Sequence, residues 1–210
     1  VKDRVIKNAE QKGGISTKIF YWSLGIGEKA RVRREQNKPV GPLLALQHKL
    51  ATILVFNKVR AKMGGKMRLM VSGGAALPQH VGEFFGNMGI IALEGYGLTE
   101  TSPLITVNQE ERQVYGTVGA IVSKLEVGIM DPEGQNIIVT RTKEDFDPNF
   151  ESAEGEIVVR GPSVMMGYWN KPEEPAIVID QDGWFHTGDV GKFYKGNLKI
   201  TDRIKNMIVN

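Results

Sequence analysis

The chain contains no cysteine. That excludes disulfides, thiolate nucleophiles, thiolate zinc sites and iron–sulfur clusters together, and it suits a reducing compartment. Histidine is scarce as well: His48, His80 and His186 are far apart in the chain, with no paired-ligand spacing, so a transition-metal centre is not expected. No apolar run approaches the roughly 18 residues that span a bilayer. Internal repeats and low-complexity tracts are also missing. A composition of 41% hydrophobic and 24% charged residues is that of a folded globular chain, not a disordered one.

What is present is distributed unevenly. The net charge of +3 conceals 16 Lys or Arg against 4 Asp or Glu in residues 1–68, and 11 against 20 in the remainder. A block of one sign invites an acidic partner. The densest part, Lys29, Arg31, Arg33, Arg34 and Lys38, has no interleaved aromatic rings on which bases could stack, so nucleic acid is not an expected partner. Two readings stay open for the 29–38 stretch: a solvated helix face, or a peripheral contact with anionic lipid headgroups or cofactor phosphates. The chain opens on Val1 and stops at Asn210 within an apolar run (Ile204, Met207, Ile208, Val209), which reads as an excerpt of a longer protein. No targeting segment can then be sought at its start.

Periodicity divides the chain. Residues 1–65 read as a basic helical segment. Leu43, Leu46, Leu50, Ile53, Leu54, Val59 and Met63 recur every three or four positions and predict a helix whose apolar face they form, opened by Pro42 and ended by Gly64-Gly65. Over 66–115 a strand at Arg68–Val71 breaks at Gly73-Gly74. A helix opened by Pro78 follows, with its apolar face at Val81, Phe84, Phe85 and Met88 and Gly89 as a left-handed C-cap. A second strand, Ile90–Leu93, then runs into Gly95–Thr101. This is a βαβ unit, for which a parallel sheet is expected, and both glycine turns sit where α/β sheets collect ligands. Over 116–201 short strands (Val122–Met130, Glu156–Arg160, Leu198–Thr201) and a β-turn at Asp131–Gly134 predict a β-rich, barrel-like subdomain, with a polar loop over 142–153. Residues 202–210 would be a hinge to a further domain.

Three clusters could carry chemistry. In Gly95-Tyr96-Gly97-Leu98-Thr99-Glu100-Thr101 two glycines flank a ring, allowing a flat ligand close to the backbone. The hydroxyl and carboxylate that follow suit a phosphate oxygen and its Mg²⁺, or else Thr99 is merely a helix cap. In Trp184-Phe185-His186-Thr187-Gly188-Asp189, Asp189 can accept two ribose hydroxyls, or it closes an Asx-turn. In Thr201-Asp202-Arg203-Ile204-Lys205 an arginine can reach ribose or phosphate, or it ends a surface strand. Gly25-Ile26-Gly27-Glu28-Lys29-Ala30 fits the dinucleotide spacing G-x-G-x-x-A but lacks the apolar helix and strand that should follow, so a nicotinamide enzyme has little support. Ser72-Gly73-Gly74 lacks the elbow of a serine nucleophile and reads as a close-approach turn.

Together these stretches resemble the adenylate-forming superfamily of acyl-CoA synthetases, luciferases and peptide-synthetase adenylation domains. In order, Ser72–Leu77 resembles the adenine-side loop, Gly95–Thr101 the Y-G-x-T-E motif, Gly155–Gly161 with Met166–Trp169 the next block, Trp184–Asp189 the W-x-x-T-G-D motif and Asp202–Lys205 the D-R-x-K hinge. Phe56–Arg60 running into Gly64–Arg68 is most similar to the long-chain fatty acyl-CoA synthetases. The resemblance implies an α/β fold, a fragment of the large N-terminal domain of such an enzyme: a parallel βαβ layer followed by a small β-barrel-like subdomain. It also implies ATP-dependent activation of a long-chain fatty acid as acyl-AMP, then transfer to CoA, with Mg²⁺. By motif position Tyr96 stacks on adenine, and Gly74, Ala75, Gly95 and Gly97 give backbone walls. Thr99 holds the α-phosphate, Glu100 holds Mg²⁺, Asp189 and Arg203 take the ribose, and Asp202 and Lys205 form the hinge. The Ser/Thr/Gly-rich loop ending in Pro-Lys-Gly is not in the sequence, nor is the catalytic lysine of the C-terminal domain, so the 210 residues alone are expected to be inactive. Their incomplete sheet favours an oligomer. A cytoplasmic protein, peripheral at a membrane if the basic stretch touches lipid, is expected. The alternatives are a ligase for another carboxylic acid, or a non-catalytic AMP-binding or membrane-surface module.

Overall fold

The computed structural model describes residues 1–74, 76–122, 124–134, 136–170 and 178–204. They fall into two compact units, Val1–Val71 with Leu77–Ala92, and Ser72–Ala76 with Leu93–Asn210.

The first unit is helical: α1 (Lys2–Glu10), α2 (Gly14–Glu35), α3 (Pro42–Ala51), a π-helical turn (Thr52–Phe56), α4 (Asn57–Lys62) and α5 (Gln79–Asn87). Pro42 occupies the first turn of α3, where its missing N–H costs nothing. The apolar face expected for this stretch is buried only at its end, where Val59 enters the core and Met63 packs against it. Leu43, Leu46, Leu50, Ile53 and Leu54 are 42–69% exposed, whereas Ala51, Val55, Phe56 and Val59 enter the core with Leu44 packed beside them. The stretch carries two apolar faces, and spacing alone does not choose between them. The π turn adds a residue to one turn and rotates α4 relative to α3, while small Ala51 faces the core. In α5 the expected face holds: Phe84, Phe85 and Met88 are buried, Val81 packs against them, and Gly89 ends the helix at φ +71°.

Two features of α2 bear on the sequence reading, the first in agreement with it and the second revising it. The Gly25–Ala30 pattern is mid-helix, and Gly27 is a packing glycine: a Cβ there would overlap the carbonyl oxygen of Asn87 at the end of α5. Arg31 is drawn out of the basic cluster into the unit, where its Nε donates to Asn87 Oδ1 (2.8 Å) and its Nη1 to Glu35 (2.6 Å). Lys29, Arg33, Arg34 and Lys38 stay exposed. Among the described residues no helix is long and apolar enough to cross a membrane.

Strands β1 (Leu69–Gly73) and β2 (Ile91–Tyr96) carry the chain from one unit into the other, joined by α5 as the βαβ pattern requires. With β3 (Thr106–Val107) and β4 (Ala120–Ile121) they form a sheet of order β1-β2-β3-β4. β3 is antiparallel to both β2 and β4, so the α/β sheet is mixed rather than wholly parallel. The cause is the short connection after Tyr96, which turns the chain back before a crossover helix can form. The second unit then builds β5 (Glu126–Met130), β6 (Ile137–Thr142), β7 (Gly155–Arg160), β8 (Phe185–Tyr194) and β9 (Asn197–Arg203) into an antiparallel sheet of order β6-β5-β7-β8-β9. The strand expected over 122–130 is interrupted at Lys124, which takes a left-handed φ of +67°. β6, whose exposure alternates from Ile137 to Thr140, lies outside the strands expected from the sequence. Val127, Ile129, Ile157, Val159, Phe193 and Leu198 form the core, against Ile105 and Ile121.

Gly25 and Gly27 give a paired test of the α2–α5 contact. Gly25 has open space around its Cβ position, so Gly25→Ala is expected to be neutral or to stabilise by up to about 1 kcal/mol through helix propensity. Gly27→Ala should destabilise by about 1–3 kcal/mol from overpacking against Asn87. Urea unfolding followed by circular dichroism checks both.

Candidate functional site

The site is built where the second unit departs from regular pairing. Between β7 and β8, Glu156 faces Val190 and Val158 faces His186, so Ile157 alone stands opposite Thr187, Gly188 and Asp189. Between β8 and β9, Val190 faces Asp202 while Gly191 faces Ile200, leaving Thr201 extra on the other side. Bulges of this kind bend a strand and re-aim its side chains. The Trp184–Asp189 cluster is therefore not a turn at a strand end: it runs into the bulged first half of β8. Gly188, at φ +70°, takes a conformation that a side chain would strain.

The bulge brings Asp189 to the end of β2. The Tyr96 hydroxyl donates to Asp189 Oδ2 at 2.7 Å, and Arg203, paired with Asp189 across β8 and β9, places its Nε 2.9 Å from Oδ1. Asp189 is 3% exposed, and both of its oxygens are engaged. Such burial would cost several kcal/mol for an unpaired carboxylate; here a cation and a hydroxyl offset it. A cleft of about 350 Å³ opens beside this chain of groups, lined by Gly74, Gly95, Tyr96, Gly97, Asp189, Asp202 and Arg203, all residues singled out from the sequence. Glu94 also lines it and was missed. Period-two alternation along β2 puts it on the side of Tyr96, two residues on, and that was the available signal.

Other expected residues lie elsewhere. Thr99 and Glu100 sit on a 3₁₀ turn, Thr99–Thr101, that does not line the cleft. Thr99 is exposed and caps nothing; the buried Thr101 hydroxyl caps the turn by accepting the Leu98 N–H at 3.0 Å. Glu100 is half-buried. Its Oε1 accepts the Tyr168 hydroxyl at 2.8 Å, and its carbonyl accepts the Met165 N–H at 2.7 Å, tying the Met166–Trp169 block to the turn. Gly97 has a packing reason besides any ligand: a Cβ there would overlap the Pro103 carbonyl. Asp202 accepts the Arg203 N–H at 2.7 Å near the exposed end of β9. Ala75 and Lys205 lie outside the described residues. Among those described, no group of three His, Asp or Glu side chains could hold a metal by itself.

Burial pushes the Tyr96 hydroxyl well above the usual phenol range, with the Asp189 charge adding to it against lowering contributions from Thr187 and Arg203. The phenol therefore stays protonated and donates to the carboxylate at every ordinary pH.

Comparison with known proteins identifies the family. A profile of the family described as AMP-binding enzyme matches residues 34–169. Long chain acyl-CoA synthetase 6, peroxisomal, of Arabidopsis thaliana is 34% identical over 214 residues, covering 97% of this chain and 27% of that protein. Human long-chain-fatty-acid–CoA ligase 1 is 33% identical over 197 residues, covering 93% and 26%. ATP-bound MatB from Rhodopseudomonas palustris matches with a TM-score of 0.58 at 33% identity, over 69% of this chain and 27% of that one. The chain belongs to the AMP-binding enzyme family. It spans about a quarter of the length of these relatives.

The raised Tyr96 ionisation sets an alkaline limit on stability. Below pH 10, the ordinary phenol value, the group is neutral in both states and contributes no pH dependence. Above it the unfolded chain ionises first, so stability falls as pH rises toward the folded value. Tyr96→Phe should remove this part of the alkaline slope. It should also cost about 1–3 kcal/mol at neutral pH, because buried Asp189 loses a donor. Urea unfolding at pH 7 and across pH 9.5–11.5 measures both.

Proposed function

We propose that the cleft beside Tyr96, Asp189 and Arg203 holds the adenosine monophosphate part of ATP in an acyl-CoA synthetase. The observation that carries this reading is that three sequence-distant stretches converge on one buried carboxylate beside an open cleft. Asp189 and Arg203 take the ribose, the Tyr96 ring lies beside adenine, and the backbone at Gly74 and Gly95 forms the walls, with Gly97 next to them. Thr99, exposed on the turn after Gly97 and outside the cleft, is the residue for an α-phosphate that reaches past the cleft mouth. Glu100 offers a single hard oxygen site, which fits Mg²⁺ only when phosphate and water supply the remaining ligands, the usual habit of that ion. When bound, the ion would neutralise charge on the phosphates. A carboxylate oxygen attacks the α-phosphorus and pyrophosphate leaves; the CoA thiol then attacks the acyl carbonyl and AMP departs. The protein contributes positioning and charge stabilisation to both steps.

The relatives' names supply the acid: a long-chain fatty acid, with CoA as acceptor. Asp202, with Lys205 beyond it, would be the pivot between the two half-reactions. The exposed cations Lys29, Arg33, Arg34 and Lys38 support a peripheral contact with anionic lipid at a cytoplasmic membrane face, a contact that salt would weaken.

Because the 210 residues hold no loop ending in Pro-Lys-Gly, binding is the readout of choice rather than turnover. Titration calorimetry should show AMP binding to the chain, weakened about 10- to 100-fold in Asp189→Asn, the size expected when hydrogen bonds to a charged group are lost. Glu100→Ala should leave AMP affinity unchanged and weaken Mg·ATP. Equal AMP affinity in the wild type and Asp189→Asn would sink the assignment.

A further inference from the structure

We infer that Glu156 and His186 form a clamp that holds the Asp189 bulge in its working geometry. They are positioning residues, and neither lines the cleft. The three residues opposite Ile157 cannot all pair with the β7 backbone, and their polar groups need other partners. Thr187 donates its hydroxyl to the Ile157 carbonyl at 2.7 Å and accepts the Asp189 N–H at 3.1 Å. The Gly188 N–H goes to the side chain of Glu156, on Oε1 at 3.1 Å. The other oxygen of that carboxylate, Oε2, lies 2.9 Å from His186 Nδ1. A carboxylate can only accept, so the proton rides on Nδ1.

One carboxylate thus ties the residue before the bulge to its left-handed glycine. The far side of the imidazole faces Asp180, with Nε2 3.7 Å from Oδ2, beyond hydrogen-bond distance. Asp180 Oδ1 accepts the N–H groups of Asp182 (2.9 Å) and Trp184 (2.8 Å), organising the turn that leads into β8. The series His186–Glu156–Gly188 ends one residue from Asp189. Without it Gly188 would be free to leave its left-handed conformation, and the carboxylate would swing away from Tyr96 and Arg203. The effect on ligand affinity rests on the nucleotide reading of the cleft; the effect on the bulge does not.

The test uses the 210-residue chain, labelled with ¹⁵N, with two readouts: amide hydrogen exchange at Gly188 and Asp189, and AMP titration. Glu156→Leu, which removes both acceptors, should speed exchange at Gly188 and weaken AMP by about tenfold each, the size of one lost hydrogen bond to a charged group. Glu156→Gln should rescue both to within about threefold of the wild type, because its carbonyl still accepts from Gly188 and its amide can donate to His186 in the other tautomer. A role in charge alone or in packing alone would not give that split. Wild-type exchange at Gly188 in Glu156→Leu, or equal impairment in the Leu and Gln variants, overturns the clamp. Should the Leu variant fail to fold, His186→Phe serves: faster exchange at Gly188 supports the clamp and unchanged exchange overturns it. If the wild type and Asp189→Asn bind AMP alike, the nucleotide reading fails, while the exchange data still decide the clamp.

Discussion

The second unit is arranged around one buried carboxylate. Asp189 sits where water barely reaches it, and a charge in that position persists only if the fold delivers compensating partners to both oxygens. Tyr96 arrives from the end of β2 and Arg203 from the strand paired with β8. Neither partner is close to Asp189 in sequence, so the group can be buried and charged only once both sheets are in register. Bulges on both flanks of β8 satisfy that requirement, because regular pairing would aim the residue elsewhere. The same irregularity leaves room for a cleft. Cost and opening have one origin.

Glycine shows how a motif and its physical cause can differ. Gly27 belongs to a pattern that spells a dinucleotide loop, yet it lies inside a 22-residue helix and is small because Asn87 passes over it. Gly97 belongs to a pattern that spells a nucleotide wall and does line the cleft, but Pro103 also packs against it. Gly188 is required by its backbone conformation alone, with open space around it. These are three separate reasons for the same residue, and only the first was open to refutation from the neighbouring sequence.

The helical unit marks the limit of periodicity as evidence. Spacing located the helices, and in α5 it chose the correct face, because the opposite face there is polar. Over 43–54 it chose the wrong one: Leu43, Leu46 and Leu50 make a stronger stripe than Leu44, Ala51 and Val55, yet the weaker stripe is buried. Hydrophobicity says that a face gains by leaving water, not that a partner is available to cover it. Charge behaves similarly, since Arg31 reads as one of five cations and is in fact engaged by Asn87 and Glu35.

By itself the sequence determined the family, the βαβ order, the β-rich second part and most of the cleft residues, because these depend on local turn chemistry and on motifs kept in a fixed order. Tertiary structure decided which helix face is covered, that the sheet is mixed, that Glu94 joins the cleft and that Thr99 and Glu100 do not, and that Glu156 reaches across to Gly188. Each of those depends on register between strands, or on packing between helices, and a shift of one residue reverses it without altering any local pattern.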